Sequence, residues 1–324
     1  MIVVTGAGGF IGSAVVWLLN KRGESNILAV DIDEYSDRYK NLVNLQYTDY
    51  SGRDVFLERI EKGRFDDIVD GVIHMGACSD TTERDKDYLM SNNYEYTKRL
   101  AIWALEQKKR FVYASSAATY GDGREGFSDD HSLLHKYKPL NLYGESKHCF
   151  DIWALENGFL DKIAGLKYFN VFGPNEYHKG NMRSMVHKSF CQIKETGVVK
   201  LFKSNNSDHK DGGQVRDFIY VKDAVTMTLF VYDNVRIQGV INIGTGIDRS
   251  FNDLVSAVFR AIDKEITIDY IEMPEGLRSH YQSYTRAEMS KLREFGYQEI
   301  ISTLEDGITD YVRNYLLASD QYLK

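Results

Sequence analysis

The sequence is poor in cysteine and in long apolar runs, and each shortage excludes a class of protein. Three cysteines, Cys78, Cys149 and Cys191, lie far apart among 324 residues. Their odd number and wide spacing match neither a zinc site nor a disulfide framework, so a reducing compartment fits best. No run approaches the ~20 apolar residues of a membrane-spanning helix, and residues 1–4 lack the basic start of a signal peptide. We therefore predict a cytoplasmic protein that enters no membrane.

Positive charge is also in short supply. Lysine and arginine number 40 against 47 aspartates and glutamates, which gives a net charge of −7. Such a chain lacks the basic excess that marks nucleic-acid binding, so no nucleic-acid partner is expected. Only three prolines occur, and there is no internal repeat or low-complexity tract. The length is sufficient for a large core and for two lobes.

Short β-branched strands alternate with helical segments through the first half. The pattern predicts strands at residues 2–4, 26–30, 71–74 and 110–114, and helices at 11–21, 56–62 and 92–107. This alternation indicates an α/β fold, a Rossmann-type doubly wound parallel sheet with helices on both faces. The later segments 240–243, 251–262, 265–271 and 304–314 are less regular and predict a smaller mixed α/β substrate-binding lobe. We assign 1–170, with 215–247, to the Rossmann domain, and 171–214 with 248–324 mainly to the substrate lobe.

A glycine-rich turn, residues 5–12 (TGAGGFIG), joins the first strand to the first helix. Glycine lets the backbone approach a pyrophosphate, and the helix N-terminus offers unpaired N–H groups and a positive dipole end. Asp31, about 20 residues after the turn, is placed to bind a ribose 2′-hydroxyl, which favours NAD. Arg38 and Arg53 favour NADP, because a guanidinium can pair with its 2′-phosphate. These residues leave the choice between NADP and NAD open.

Three further residues have the order and spacing of a hydride-transfer site. Tyr143 and Lys147 are four residues apart, so on a helix they share one face and can address one cofactor. A tyrosine with its usual pKa near 10 is a poor base, and the lysine cation together with an oxidised nicotinamide favours its phenolate form. Ser116 follows the end of a strand, where open α/β sheets bind ligands, and can hydrogen-bond the reacting oxygen.

These motifs resemble the extended short-chain dehydrogenase/reductase family, and more narrowly its ADP-heptose 6-epimerases of lipopolysaccharide biosynthesis. The resemblance covers nearly the whole chain, and the segments 76–79 (GACS), 178–180 (HKG) and 281–282 (YQ) carry its narrower part. It implies epimerisation at C6″ of ADP-D-glycero-β-D-manno-heptose to the L-glycero form. It also implies bound NADP, with NAD as the alternative, a nucleotide-sugar substrate, and a homo-oligomer that is pentameric in this family.

The resemblance also assigns roles to individual residues, with no metal among the ligands expected. The catalytic residues are Tyr143, Lys179, Ser116 and Lys147. The cofactor residues, with the glycines of the turn, are Gly6, Gly9, Phe10, Ile11, Gly12, Asp31, Ile32, Arg38, Arg53, Met75, Gly76, Ala77, Cys78, Ser79, Asn92, Lys147, Val171 and Lys179. The substrate residues are Ser116, Asn170, Asn181, Lys188, Phe202, Arg216 and Tyr281.

Rival functions differ from this prediction at particular residues. A nucleotide-sugar 4,6-dehydratase resembles a pattern with an acidic pair beside the active-site serine, where this chain has Ala117 and Ala118. A UDP-galactose 4-epimerase-like enzyme shares Ser116 and the Tyr-Lys pair but does not need Lys179. A net reductase would exchange its cofactor at each turnover. A non-catalytic NADP-binding regulator often lacks the tyrosine or the lysine, and both are present here.

Overall fold

A computed structural model describes residues 1–32, 37–204, 210–275, 282 and 284–324 of the chain. Its largest sheet in this part of the chain consists of β1 (Ile2–Thr5), β2 (Ile27–Asp31), β3 (Asp49–Gly52), β4 (Gly71–His74), β5 (Arg110–Ser116), β6 (Ala164–Tyr168) and β10 (Gly239–Ile243). The order across the sheet is β10-β6-β5-β4-β1-β2-β3. Each neighbouring pair is parallel, as the alternation of strands and helices predicts.

Helices cover both faces of this sheet because successive strand residues point in opposite directions. The helices are α1 (Phe10–Lys21), α2 (Arg53–Glu61), α3 (Lys86–Leu89), α4 (Tyr96–Glu106), α5 (Leu142–Glu156) and α7 (Val221–Asp233). Val4 of β1 belongs to the core that α1 and α7 cover, and the preceding Val3 to the core under α2, α4 and α5. Both valines are wholly buried. The predicted doubly wound α/β fold is confirmed.

Two smaller sheets lie beside the carboxyl ends of the large sheet. One consists of β7 (Asn170–Phe172), β9 (Val215–Tyr220) and β11 (Asp248–Ser250), and the other of β8 (Val199–Phe202) and β12 (Ile268–Ile271). The accompanying helices are α6 (Met185–Thr196), α8 (Phe251–Ala261), α9 (Ser290–Glu294) and α10 (Leu304–Tyr311). The division of the chain into two domains at the stated boundaries stays a prediction. Within the described ranges, no helix is both long and apolar enough to cross a bilayer.

Several elements differ from the sequence-based prediction. Residues 92–107 were expected to form one regular helix, but a π-helical segment, Met90–Glu95, precedes α4. The 3.6-residue pattern cannot reveal the one extra residue that widens such a turn. The strand expected at 265–271 begins only at Ile268. The pattern does not predict β3 because its sequence, DYSG, has no apolar run.

The outer edge of β10 is covered by a short segment that contains His131. The backbone N–H of Val240 donates to His131 Nε2 at 3.0 Å, and the Lys291 ammonium donates to the same nitrogen at 3.0 Å. Two strand residues later, the N–H of Asn242 donates to Asp129 at 2.9 Å. Because Nε2 already accepts two hydrogen bonds, the imidazole must be neutral to fit this edge.

We expect acid to destabilise the protein through His131. Burial, and secondly the Lys291 charge, lowers the pKa of His131. Below the unfolded value of about 6.5 the unfolded chain binds a proton that the folded chain resists, so the free energy of unfolding falls as pH decreases from there toward the folded pKa. Each unit of difference between the two states contributes about 1.4 kcal/mol. Urea unfolding at pH 7.5 and 5.0 should therefore show a smaller acid loss in His131→Gln than in the wild type.

His135, which is exposed on the same segment, provides the matched control. The His135→Gln variant should keep the wild-type pH dependence of unfolding. An acid loss that is the same in His131→Gln as in the wild type would contradict the role assigned to His131.

Candidate active site

A cavity of about 630 Å³ opens at the carboxyl ends of β1, β2, β4 and β5, next to β7 and β9. This edge is where open α/β sheets bind ligands. The cavity brings together every residue of the predicted cofactor set: Gly6, Gly9, Phe10, Ile11, Gly12, Asp31, Ile32, Arg38, Arg53, Met75, Gly76, Ala77, Cys78, Ser79, Asn92, Lys147, Val171 and Lys179. It also contains Ser116, Tyr143 and Asn170.

The glycine-rich turn between β1 and α1 leaves no room for side chains at Gly6 and Gly12. Gly6 has a positive φ of 65°, and a Cβ there would lie 2.6 Å from the backbone nitrogen of Gly76. A Cβ on Gly12 would lie 2.0 Å from the carbonyl oxygen of Gly6. Gly9 is the N-cap of α1 and brings no side chain to cap its first N–H groups. The turn therefore fits a dinucleotide, whose pyrophosphate these N–H groups can bind.

The carboxylate of Asp31 is already engaged by the backbone of this turn. Its Oδ2 accepts the Gly8 N–H at 2.8 Å, and its Oδ1 accepts the Ile32 N–H at 2.8 Å. The Arg38 guanidinium lies 3.9 Å from Oδ1 and is about two-fifths exposed, at 39%. Asp31 thus joins the turn to the end of β2, and Arg38 presents a positive charge at the same rim of the cavity.

Two neighbouring asparagines of the π-helical segment have different roles at the cavity, and only Asn93 holds the loop after β4. Asn92 faces the cavity and accepts a hydrogen bond from Arg53. Asn93 is wholly buried, accepts the N–H of Cys78 at 2.8 Å and donates to the Cys78 carbonyl at 3.0 Å. It also donates to Ser146 of α5 at 3.0 Å. Asn93 therefore ties the cofactor loop to the helix that carries the predicted catalytic pair, a role that the sequence does not reveal.

Ser116, Tyr143 and Lys147 meet at one side of the cavity. Ser116 is the last residue of β5, and its hydroxyl lies close enough to the Tyr143 phenol to lower the pKa of that phenol. Tyr143 is in the first turn of α5, a helix capped by the Asn141 side chain. One turn later, Lys147 Nζ donates to the carbonyl of Ala114 in β5 at 2.8 Å. The strand end and the helix face thus converge as their spacing predicts.

Burial sets the protonation of this pair. Burial raises the pKa of Tyr143, and the nearby Ser116 hydroxyl opposes that rise. Burial lowers the pKa of Lys147 to about 8, and the negative charge of Asp151 opposes that fall. At neutral pH the lysine is therefore mainly an ammonium and the phenol keeps its proton. Forming the phenolate requires positive charge next to it, which an oxidised nicotinamide carries.

Lys179 enters the cavity from the segment between β7 and α6. Its ammonium lies 5.3 Å from the centre of the Phe10 ring, at the start of α1. Burial lowers the pKa of Lys179, the buried Glu176 carboxylate opposes this, and the charge of Lys188 adds to it. Lowering the pKa of an amine makes it a better proton acceptor near neutrality. The residue therefore has the environment of a second acid/base group.

The predicted substrate residues are brought together only in part. In the described part of the chain, the cavity lining includes Ser116 and Asn170 but not Asn181, Lys188, Phe202 or Arg216. Arg216 lies over Phe251, a lining residue, with 5.6 Å between the guanidinium carbon and the ring centre. Tyr281 lies outside the described residues. The substrate roles of these residues stay predictions.

Other lining residues were given no role from the sequence, because they come from segments that are far apart in the chain. They include Tyr88, Tyr168, Phe169, Met182, Arg183, Ser184, Phe218, Phe251 and Leu254. Over the described ranges, no group of three or more histidine, cysteine or acidic side chains is arranged to hold a metal.

The sequence pattern of the NAD dependent epimerase/dehydratase family matches residues 2–244. The chain belongs to this family. A nicotinamide dinucleotide is therefore its cofactor, in agreement with the glycine turn and the uncapped N-terminus of α1. Membership also confirms the resemblance to the extended short-chain dehydrogenases/reductases.

Curated relatives match this family member over its full length. A protein of Nitratidesulfovibrio vulgaris named ADP-L-glycero-D-manno-heptose-6-epimerase is 54% identical, with all of both chains covered. One of the same name from Fusobacterium nucleatum is 48% identical, again over all of both chains. The solved structure of the Helicobacter pylori enzyme of that name has a TM-score of 0.81 at 28% identity, covering 97% of this chain and 95% of the other.

More distant structures share the fold alone. A UDP-N-acetylglucosamine 4-epimerase from Methanobrevibacter ruminantium superposes with a TM-score of 0.80 at 22% identity, covering 96% of each chain. A UDP-glucose 4-epimerase from Thermus thermophilus, solved with NAD, has a TM-score of 0.76 at 22% identity, covering 96% of this chain and 98% of the other. The doubly wound sheet with its smaller neighbouring sheets is thus an arrangement that several sugar-nucleotide epimerases share.

Proposed function

We propose that the protein converts ADP-D-glycero-β-D-manno-heptose into ADP-L-glycero-β-D-manno-heptose by transient oxidation at C6″ with bound NADP. The observation that carries this proposal is the meeting of Ser116, Tyr143 and Lys147 with a second, partly buried amine, Lys179, in one cavity beside the dinucleotide turn. The full-length relatives named as heptose epimerases support the choice of substrate. We further propose that the enzyme works in the cytoplasm, as a homo-oligomer, and supplies lipopolysaccharide core biosynthesis.

Each catalytic side chain has a distinct task. A nicotinamide dinucleotide held at the glycine turn would supply reversible hydride transfer at C6″, and the side chains of the cavity handle the accompanying proton. The Tyr143 phenolate accepts the proton of the C6″ hydroxyl while the Ser116 hydroxyl hydrogen-bonds the same oxygen. The Lys147 ammonium stabilises the phenolate. When the sugar end has rotated, the oxygen faces another wall of the cavity, and the Lys179 ammonium donates a proton to it as the hydride returns. Exchange with solvent then removes the proton from Tyr143 and restores the one on Lys179. The hydride is given back in full, so the net redox change is zero.

The environment of Asp31 supports NADP over NAD. Both carboxylate oxygens accept backbone N–H groups, so less of their hydrogen-bonding capacity remains for a ribose 2′-hydroxyl. Arg38, at the rim of the cavity, offers the charge that a 2′-phosphate needs. Arg53 is turned toward Asn92 and Asp54 and is the weaker candidate for this contact.

Replacing Arg38 by alanine should therefore weaken binding of NADP more than binding of NAD. A charge-assisted hydrogen bond contributes about 1.5–3 kcal/mol, so we expect NADP affinity to fall about 10- to 100-fold. Calorimetric titration of the cofactor-free protein with each dinucleotide measures the two affinities. Lys40→Ala is the matched control, because Lys40 is exposed in the same segment and pairs with Asp37. An equal loss for both dinucleotides in Arg38→Ala would contradict the proposed contact.

Incubating the purified protein with ADP-D-glycero-β-D-manno-heptose, without added cofactor, tests the function. Chromatographic separation of the C6″ epimers should reveal the L-glycero form, because a cofactor that is regenerated in each turnover can stay bound. No conversion, even after NADP⁺ or NAD⁺ is added, would reject the proposed substrate. Conversion of UDP-galactose under the same conditions would instead favour a 4-epimerase, which does not need Lys179.

A further inference from the structure

A fully buried ion pair lies behind the catalytic side of the cavity. Lys167 Nζ of β6 is 2.6 Å from Asp151 Oδ2 of α5, and neither side chain has any exposed surface. Asp151 is one helical turn beyond Lys147 and two turns beyond Tyr143 on the same helix. Burying two charges costs more than packing two apolar side chains of similar size, so the pair calls for an explanation other than stability.

The Asp151 carboxylate connects α5 to the end of β5. Its Oδ1 accepts the Tyr113 hydroxyl at 2.8 Å, and its Oδ2 accepts the Ser115 hydroxyl at 2.7 Å. All the hydrogen-bonding atoms of this set are buried. The residue directly before the catalytic Ser116 is thereby attached to the helix that carries Tyr143.

The Lys167 ammonium connects the same pair to the turn that follows Ser116. It donates to Thr119 Oγ1 at 2.6 Å, and Thr119 in turn donates to the carbonyl of Ser116 at 2.8 Å. The ammonium also lies 5.1 Å from the centre of the Tyr120 ring. Ser116 is therefore bracketed by two hydrogen-bonded neighbours that both lead back to one ion pair.

We propose that Lys167 and Asp151 are positioning residues of the active site, which fix Ser116 relative to Tyr143 and Lys147. Because their charges cancel, the pair adds no net charge next to these catalytic groups. Neither residue reaches the cavity lining, so the pair acts through the residues that do. This inference rests on the proposed catalytic roles of Ser116, Tyr143 and Lys147.

The neutrality of the pair matters because of what surrounds Lys147. The groups that face its ammonium are Asp151 and Tyr143 on its own helix, the Cys78 thiol of the loop after β4, and the His74 ring of β4. Burial keeps His74 neutral, since it lowers the pKa of that ring to about 3. Asp151 is thus the carboxylate acting on Lys147, and its ion-pair partner offsets that influence.

Removing one member of the pair should shift Lys147 in a direction that depends on which member is lost. Lys167→Met leaves the carboxylate unpaired and should raise the pKa of Lys147. Asp151→Asn leaves the Lys167 ammonium unpaired and should lower it. We expect shifts of about one unit or more in opposite directions. The double variant has neither charge and should return the pKa of Lys147 near the wild-type value.

The test combines a titration with steady-state kinetics on the full-length protein carrying its cofactor. The pKa of Lys147 is followed by NMR of ¹³Cε-labelled lysine, with Lys147→Arg to assign the signal. The kinetics should give a kcat reduced about tenfold or more in the double variant with KM little changed, since small displacements of a catalytic group are costly. Lys167→Arg, which keeps the charge, should restore most of the activity.

Opposite shifts together with a reduced kcat support the proposal. A Lys147 signal that titrates identically in all variants, or a double variant with wild-type kcat, would overturn it. If a single variant fails to fold, the neutral double variant still tests the positioning role through kcat and KM. Failure of the wild type to turn over ADP-heptose would reject the proposed function instead. The NMR titration would still show whether the ion pair controls the pKa of Lys147.

Discussion

Tyr143→Phe is expected to reduce kcat for epimerisation about 10³-fold while the cofactor stays bound. The substitution removes only the hydroxyl that exchanges a proton with the substrate, and such general acid/base groups contribute about 10²–10⁴-fold. The ring remains in the first turn of α5, beside Ser116 and one turn before Lys147. Chromatography of the epimers measures the rate, and the absorbance of protein-bound nicotinamide measures cofactor retention.

Tyr270→Phe is the matched control for loss of a phenol. Tyr270 is in β12, and its hydroxyl donates to the Asn252 side chain at 3.0 Å. In the described part of the chain, neither residue belongs to the cavity lining. This variant should keep kcat within about twofold, because the hydrogen bond that it loses lies away from the cavity. Full epimerisation by Tyr143→Phe would show that the phenol takes no part in the mechanism. It would not contradict the dinucleotide turn or the fold.

Lys179→Met should reduce epimerisation by about 10²-fold or more, because the second substrate orientation then has no proton donor or acceptor. The effect should be directional. With one epimer as substrate, one of the two variants, Tyr143→Phe or Lys179→Met, should accumulate reduced nicotinamide, and the other should not. With the opposite epimer the two variants should exchange behaviour. Single-turnover absorbance of the reduced cofactor follows this directly.

Lys194→Met is the control for loss of a lysine, since Lys194 is exposed near the end of α6. It should leave both half-reactions unchanged. If Lys179→Met epimerised at the wild-type rate, a single acid/base group would serve both orientations, and the likeness to 4-epimerases would be closer than proposed.

The sequence predicts the sheet and the catalytic side of the cavity because both depend on local spacing. Residues 5–12 carry the dinucleotide turn, and the four-residue interval between Tyr143 and Lys147 places them on one helix face. Ser116 follows from its position at a strand end. Each of these signals lies within about ten residues of chain, so no tertiary information is needed to find it.

The parts that were not predicted depend on contacts between distant segments. Asn93 lies in a π-helical turn and bonds to Cys78 of a separate segment, and a hydrophobic pattern predicts neither the turn nor the contact. The partners Asp151 and Lys167 are 16 residues apart and have no motif of their own. Likewise, Asp31 considered alone favours NAD, and its hydrogen bonds with the backbone, which weaken that preference, cannot be found from the sequence.

The proposed mechanism requires that the hydrogen removed from C6″ as hydride is the one that returns to it. ADP-D-glycero-β-D-manno-heptose that carries deuterium at C6″, incubated with the purified protein and no added cofactor, tests this requirement. We expect an L-glycero product that keeps its deuterium at C6″, as read by mass spectrometry and NMR. A product that has exchanged this deuterium for solvent hydrogen would contradict it, because the inversion would then proceed by removal of a proton from carbon.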